Sequence, residues 1–578
     1  MCGILGILGN NIQTSKEKFT QALDTLKQRG PDDSGLFFDN HCYFGHRRLS
    51  IIDLKNGQQP MTSNDGRYTI IFNGEIYNFK TLKEKLSDYN FKTNSDTEVI
   101  LAAFKKYGKK IVDILEGMFA MAIYDQEKKT LFLARDPIGM KPLVYTEYQG
   151  HFYFASELKA LMPLLNKKNK ISEQAVFDFF CLKHIPAPNT IYKDIFKLPA
   201  GHYLEVSLKD KEIKVGEPCA YWRPIYEDND RGLNIKEVRE KIIETVESHL
   251  VSDVPVGVFL SGGIDSTAIV WAMSELGCDL STYTIGFSDL KNDNDLIYSR
   301  LVAKKFGTKH SELLVDTHDY NNVARCVSKY FDEPFADPAF ISNYYVSRET
   351  AGHVKVALSG DGGDELFFGY PVYTRINKIR KIKKLFGLSD KNWVLEKYFG
   401  YNLDLIRKMA QGSSASVSIF PDRRFKDGRV LMRMFDLEST LPEYYLNKTD
   451  KTSMMSSLEV RTPFTHRPLV DYILSIPVKH HYKFGKGKNI LKQVLAGYIP
   501  EEILNRSKQG FSRPVHLLLH ESNLSFIEVT IKDLNLFNTE GVGSIISSYR
   551  RQKQNQSLVW CLLVFCWWFE DNNQYLDI

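Results

Sequence analysis

The sequence predicts two domains of different class: an N-terminal α+β domain rich in antiparallel sheet and a C-terminal α/β domain wound on parallel sheet. Three observations lead there. At 578 residues the chain exceeds the ~250–300 residues at which a single core stops growing. Up to about residue 210, short strand-like runs are broken by Gly, Asn and Asp. From about 235, buried strands alternate with amphipathic helices, the pattern of βαβ units. Apolar residues at 43% and charged residues at 25% are ordinary globular values, which excludes a fibrous or largely disordered chain. Lys plus Arg exceed Asp plus Glu by 75 to 70, and the resulting +5 is too weak a field to imply nucleic acid.

Taken in order, the start (MCGILGILGNN) has no basic n-region and no small-residue cleavage site, so no secretion signal is expected. Strands are expected at 68–72 before Asn73-Gly74, at 119–124 before Asp125 and at 130–134 before Arg135-Asp136. Residues 98–107, apolar at 99, 100, 101, 103 and 104, read as a helix. The polar, irregular stretch around 217–234 reads as a linker, dividing the chain into 1–215, 216–234 and 235–578. Ile235, Val238, Ile242, Ile243, Val246 and Leu250 then repeat at helical spacing. A continuous apolar strand, 254–260, leads through Ser261-Gly262-Gly263 into a helix at Asp265, and further strands are expected at 283–287 and 355–358. The basic run 378–384 reads as a solvated helix face. The apolar run 558–569 is too short to span ~30 Å of hydrocarbon and reads as a buried C-terminal helix. Eight cysteines without paired spacing indicate neither a disulfide framework nor zinc. The chain is expected to be soluble and cytoplasmic, with no nucleic-acid and no membrane partner; a homodimer is left open.

Chemistry begins at Cys2. Removal of the initiator Met before a small residue would place an α-amine, intrinsic pKa about 7.7–8.0, on the same residue as a thiol, where it can act as the thiol's base. Arg48 can pair a carboxylate bidentately. The Asn73 amide and the Gly74 N–H can form an oxyanion hole. Asp96 can accept from an ammonium, or simply cap the helix that follows. Nucleophile, carboxylate clamp, oxyanion donors and ammonium acceptor together suit the head and side-chain amide of glutamine.

Seven ordered segments carry a resemblance: MCGI, RGPD (29–32), RRLSIID (47–53), NGEIYN (73–78), SDTEVIL (95–101), GMFAMAIYD (117–125) and ARDPIGMKPL (134–143). They resemble the class II glutamine amidotransferase domain. The likeness implies an Ntn-hydrolase fold, an αββα sandwich of two antiparallel sheets between helix layers. It implies Cys2 as nucleophile and Asn73 and Gly74 as oxyanion donors. Arg48, Leu49, Ser50, Ile51, Ile52, Asn73, Gly74, Glu75 and Asp96 would hold glutamine. Gln28, where that family usually has His, is expected to change local packing only.

The second constellation is Ser261-Gly262-Gly263-Ile264-Asp265-Ser266, between a buried strand and a helix. Backbone N–H groups of such a turn bind phosphate, and Asp265 is placed to hold Mg²⁺ there. It is neither a Walker A loop nor GxGxxG. A second post-strand loop, Ser359-Gly360-Asp361-Gly362-Gly363-Asp364-Glu365, crowds three acids that a cation would neutralise, so a second Mg²⁺ ligand is expected within it. Lys508, in NRSKQGF, is a candidate cation for phosphate charge. With TIGF (284–287), LEVRTPF (458–464) and IPEEILNR (499–506), these resemble the synthetase half of glutamine-hydrolysing asparagine synthetases. The likeness implies a doubly wound parallel sheet of the PP-loop ATP pyrophosphatase type, with ATP against Leu260, Ile285, Ser359 and Gly360. By the same likeness Asp265 and Asp364 would hold Mg²⁺, Asp361 would aid acyl-adenylate formation and Lys508 would contact phosphate. The pattern breaks at Thr465-His466 and in the loop after TIGF, both expected near the acceptor.

The expected function is amidation of a carboxylate with glutamine as nitrogen donor, ATP and Mg²⁺ as cofactors, and an internal ammonia tunnel. Aspartate is the first choice of acceptor. A paralogue amidating another carboxylate, such as a uronic acid in surface-polysaccharide assembly, or a peptide intermediate, stays open. A β-lactam-forming relative is disfavoured because Cys2 is present, and a silent scaffold because Cys2, Asn73, Asp265 and Asp364 are all in place.

Overall fold

The computed structural model describes residues 1–577 apart from 228, 288–293, 317–319, 386–390, 411–415, 421–423, 507–514, 533 and 535. Among the described residues, the N-terminal part holds two antiparallel sheets. The first runs, in spatial order, Phe196–Lys197, Val144–Tyr148, His151–Ala155, Gly3–Gly9, Cys42–Arg48, Asp33–Phe38. The second runs Glu212–Val215, His202–Lys209, Thr130–Arg135, Gly117–Asp125, Tyr68–Ile76, Met61–Thr62.

Period-two alternation sorts their side chains into layers. In Gly3–Gly9, Leu5 and Ile7 pack with Phe19 and Leu23 of helix Lys16–Asp24. Ile4 and Leu8 face the other way, into a cluster with Ile71, Ala120 and Leu131 of the second sheet. The outer face of that sheet, Ile70, Phe72 and Met121, meets Val99 and Ala103 of helix Asp96–Tyr107. The order is helix, sheet, sheet, helix.

Strand Tyr68–Ile76 is longer than expected. Asn73-Gly74 is not a turn; the ladder continues past it, pairing Ile76 with Gly117. Within the stretch read as linker, Cys219–Ala220 still pairs with His202–Lys209, and Trp222 is buried. Regular structure resumes at helix Ile235–His249.

The C-terminal part carries a wholly parallel sheet in the order Lys309–Val315, Ser281–Phe287, Val256–Phe259, Val356–Leu358, Glu459–Arg461. The chain starts at the centre, winds to one edge and returns to the other side. The reversal lies between Val256–Phe259 and Val356–Leu358, and open α/β sheets bind ligands at the carboxyl ends of strands at such a point. Those ends lead into the Ser261 and Ser359 loops. Helix Gly428–Phe435 runs into a π-helical stretch, Asp436–Leu446, with Pro442 inside it, and then into helix Asn447–Met454.

The apolar run near the C-terminus forms helix Gln556–Asn572, buried from Val559 to Phe569. Trp560 and Trp568 donate their indole N–H groups to the carbonyls of Ala336 and Asp332, both at 3.0 Å. No helix among the described residues is long and apolar enough to cross a membrane.

Candidate active site

Cys2 stands immediately before strand Gly3–Gly9, held from both sides. Its N–H donates to Asn73 Oδ1 at 2.9 Å, and its carbonyl accepts from Arg29 Nε at 3.0 Å. The first bond fixes the orientation of the Asn73 amide, which turns Nδ2 inward. That Nδ2 is fully buried and has no hydrogen-bond partner among the described residues. An unsatisfied buried donor costs about 1–3 kcal/mol, so it marks a place where an acceptor belongs.

The backbone at Gly74 complements it. Phe119, its cross-strand neighbour, commits both backbone groups to Asp136 on the far side, its N–H donating to Oδ2 (3.2 Å) and its carbonyl accepting from the Asp136 N–H (2.8 Å), so Gly74 and Phe119 form a non-hydrogen-bonded pair. The Gly74 N–H therefore emerges on the edge where Phe72 N–H donates to Gln59 Oε1 (2.7 Å) and Ile76 N–H to Asp96 Oδ2 (3.0 Å). A Cβ at Gly74 would lie 2.0 Å from the Met118 carbonyl, so the glycine is required by its own neighbouring strand.

Asp96 is not the helix cap; Ser95 is, accepting from Thr97 N–H. Burial pushes the Asp96 carboxyl up to about 6, against the pull of the Ile76 and Thr97 N–H groups. Burial, with Glu459 and Asp96 as neighbours, drives Glu75 well above the usual carboxylate range; Arg461 lies 3.8 Å away. Arg48 differs from expectation. Its guanidinium donates to the carbonyls of Ile52 (3.0 Å), Asp53 (2.8 Å) and Leu54 (3.3 Å), bracing the loop. Leu49 N–H donates to Met1 O, Ser50 N–H to Asp32 Oδ2, and Ile51 O accepts from Asp253 N–H. Gln28 is exposed, and its carbonyl accepts from Ser457 Oγ at 2.7 Å.

Met1 is 1% exposed and packs with Leu49, Ile51 and Ile52. Its ammonium pairs with Glu459 at 3.0 Å. Burial would raise Glu459, but the ammonium and Arg461 prevail and hold it at about 2. Burial also raises the Cys2 thiol, against the ammonium, Leu49 N–H and Arg48. A thiol so raised needs a base to react near neutrality.

The second site is a cleft of ≈ 1670 Å³ at the reversal of the parallel sheet. Leu260, Ser261, Gly263, Asp265, Ser266, Ile285, Ser359, Gly360, Asp361 and Asp364 all line it. Gly262 does not; it makes the turn, at φ 66°, where a Cβ would lie 2.4 Å from Tyr298 Cβ. Ser261 Oγ accepts from Gly263 N–H at 3.3 Å. Asp361 accepts from Ser359 Oγ (3.0 Å) and Thr449 Oγ1 (2.8 Å). Lys508 and the loop 288–293 after TIGF lie outside the described residues.

Lys488 was not singled out by sequence. Its ammonium bridges Asp265 and Asp364, the latter at 2.7 Å. The signal for it was the glycine-interleaved run Lys483-Phe484-Gly485-Lys486-Gly487-Lys488, a turn between apolar segments. Two carboxylates converging on one cation beside a phosphate-type turn are hard oxygen donors of the kind Mg²⁺ takes together with phosphate and water. These residues fit that ion, although no group of three or more His, Cys, Asp or Glu ligands occurs among the described residues. Thr465 and His466, expected near the acceptor, line no part of the cleft. Thr465 packs behind Gly362, and His466 is buried against Tyr77 and His249, with ring centroids 5.8 and 5.2 Å away.

Residues 1–222 match the glutamine amidotransferase domain family and residues 237–570 the asparagine synthase family. Glutamine-hydrolysing asparagine synthetase 1 of Bacillus subtilis is 32% identical, covering 99% of this chain and 97% of its own. Asparagine synthetase 3 of the same organism is 31% identical over 89% of this chain and 88% of its own. Asparagine synthetase B of Escherichia coli is 28% identical over 89% and 82%.

Proposed function

The chain belongs to the asparagine synthase family, with a glutamine amidotransferase domain ahead of the synthase domain, and from that premise we propose that it amidates aspartate to asparagine, taking nitrogen from glutamine and driving force from ATP. We divide it into a glutaminase unit (1–215) of Ntn-hydrolase type, a connecting segment (216–234) and a PP-loop synthetase unit (235–578). The observation that carries the reading is the pairing of two separate sites: a buried Cys2 whose N–H is bonded to Asn73 Oδ1, leaving Asn73 Nδ2 buried without a partner among the described residues, and a Ser-Gly-Gly turn and an acidic loop lining one cleft.

In the first site Cys2 Sγ attacks the glutamine carboxamide carbon. Loss of Met1 frees the Cys2 amine, which takes the thiol proton and passes it to the departing nitrogen. Asn73 Nδ2 and Gly74 N–H receive the oxyanion. Ammonia leaves, and water then hydrolyses the thioester to glutamate. Arg48 and Asp96 hold the α-carboxylate and α-ammonium, while Leu49, Ser50, Ile51, Ile52 and Glu75 line the pocket.

In the second site a carboxylate oxygen of the acceptor attacks the α-phosphorus of ATP and pyrophosphate leaves. Ammonia adds to the acyl carbon of the resulting acyl-AMP, and AMP departs with the amide formed. Adenylation is needed because a carboxylate has no competent leaving group. Ser261, Gly262, Gly263 and Ser266 cradle the phosphates, with Leu260, Ile285, Ser359 and Gly360 against the nucleotide. Asp361 orients the reacting carboxylate, and Lys508 meets the phosphate charge. Asp265 and Asp364 would hold Mg²⁺, which when bound offsets the charge of the phosphates.

The test is to supply glutamine, ATP and Mg²⁺ with a panel of carboxylates and follow pyrophosphate. Release with aspartate is expected. Release with a uronic acid and none with aspartate would transfer the assignment to a paralogous amidotransferase.

A further inference from the structure

The loop that follows Arg48 is held from the other half of the chain. Asp253 meets it twice: its N–H donates to the Ile51 carbonyl at 3.0 Å, and its Oδ2 accepts from Asp53 N–H at 2.8 Å. Lys355 meets it through one intermediate. Its Nζ donates to Asp32 Oδ2 at 2.8 Å, and the same oxygen accepts from Ser50 N–H at 2.8 Å. Both residues stand where the parallel sheet begins. Asp253 precedes strand Val256–Phe259 and Lys355 precedes Val356–Leu358, which pair side by side. The far ends of the same two strands lead into the Ser261 and Ser359 loops.

Asp53 carries the contact inward. Its φ of 47° lies in the left-handed region, which among residues with a side chain Asn and Asp enter most readily. Strain kept at one residue is a pointer to function. The Asp53 carbonyl accepts from Arg48 Nη2 at 2.8 Å, and its Oδ2 accepts from Asn94 N–H at 2.8 Å, two residues before Asp96. Asp53 thus ties the loop of Arg48 to the loop of Asp96, and Asp253 fixes Asp53.

On the glutamine reading of the Cys2 site, we propose that Asp253 is a positioning residue for glutamine, supplied by the synthetase half. Cys2, Asn73 and Gly74 belong to the first half, so the chemistry stays there. What crosses the seam is placement. The bond to Asp53 N–H keeps Arg48 and Asp96 at the spacing that receives the α-carboxylate and the α-ammonium together. Lys355 acts in the same direction through Asp32 and Ser50. An interaction of this kind serves binding and leaves the chemical step alone, so its loss shows in KM and not in kcat.

The experiment measures glutamine hydrolysis by the full chain for wild type, Asp253→Ala, Asp253→Asn and Lys355→Met. Asp253→Ala should raise the KM for glutamine about 3- to 10-fold, the worth of one hydrogen bond, with kcat within about 2-fold of wild type. Asp253→Asn keeps an oxygen that accepts from Asp53 N–H and should bring KM back near wild type. Lys355→Met keeps the aliphatic stem and should raise KM in the same direction; it decides the matter if Asp253→Ala does not fold. Pyrophosphate release with ammonium chloride as donor should be unchanged in all three, which separates lost placement from lost fold. If wild type hydrolyses glutamine but neither Asp253→Ala nor Lys355→Met shifts KM, the proposal is overturned and the glutaminase reading stands. If kcat and ammonium-driven turnover fall together in Asp253→Ala and are not restored in Asp253→Asn, Asp253 is a structural contact only, and the proposal is overturned likewise. If wild type hydrolyses no glutamine, the glutaminase reading falls, and the proposal with it.

Discussion

If Asp96 accepts the ammonium of glutamine as proposed, its carboxyl must be ionised, yet burial pushes it up to about 6. The KM for glutamine should therefore rise as pH falls through about 6, in the glutaminase reaction measured between pH 5 and 8. Asp96→Asn should raise KM at neutral pH by roughly 10- to 100-fold, the worth of a charged hydrogen bond, and abolish the step. A flat wild-type profile would count against this role. That Cys2, Asn73 and Asp96 are brought together was legible in the sequence because short motifs carry them. Arg48 was only half legible: a guanidinium reads as a carboxylate clamp, and nothing local announces that the carbonyls of residues 52–54 claim much of it. Lys488 was not legible, because its partner Asp265 is 223 residues away.

Glycines set the geometry of the elements around the cleft. A Cβ on Gly363 would lie 2.7 Å from Asp265 Oδ1, so Gly363→Ala should displace that carboxylate. Pyrophosphate release should fall at least roughly 10-fold while glutaminase activity stays within about 2-fold, since the change touches only the second site. Asp265→Asn and Asp364→Asn should abolish pyrophosphate release and likewise spare glutaminase; full ATP turnover by both would remove the metal assignment. The parallel sheet was legible because its central strand is a continuous apolar run ending in Ser-Gly-Gly. The strand Tyr68–Ile76 was cut short in the sequence because Asn-Gly is a turn signal, and tertiary pairing with Gly117–Asp125 overrides it. The π-helical stretch Asp436–Leu446 left no sequence signal that separates it from an ordinary helix.

Across the whole molecule, the two halves meet through buried charge. Arg29 Nη1 donates to Glu157 (2.9 Å) and to Asp450 of the synthetase half (2.8 Å), while its Nε holds the Cys2 carbonyl. Arg135 pairs with Glu443 at 2.8 Å. Strand Glu459–Arg461 touches both sites: its side chains reach the Met1 ammonium and Glu75, and the Arg461 carbonyl accepts from Ser359 N–H at 2.9 Å. Asp450→Ala would leave the fully buried Arg29 guanidinium with Glu157 as its remaining carboxylate among the described residues, costing about 1.5–3 kcal/mol for the lost charged hydrogen bonds. Its Tm should drop, and glutamine hydrolysis should run ahead of amide formation; an unchanged Tm would show that the pair is dispensable. Motifs carry Arg29, Arg135, Glu459 and Arg461, but their pairing was not legible, because each pair joins distant segments. The central claim is that two complete chemistries are joined only by ammonia. The measurement that tests it most directly compares Cys2→Ala with wild type, supplying glutamine or ammonium chloride and following asparagine. The variant should make no amide from glutamine and near wild-type amounts from ammonium, increasingly so as pH rises toward ~9 and the neutral amine predominates. Amide formation from glutamine by the variant, or loss of both reactions in a folded protein, would contradict the account.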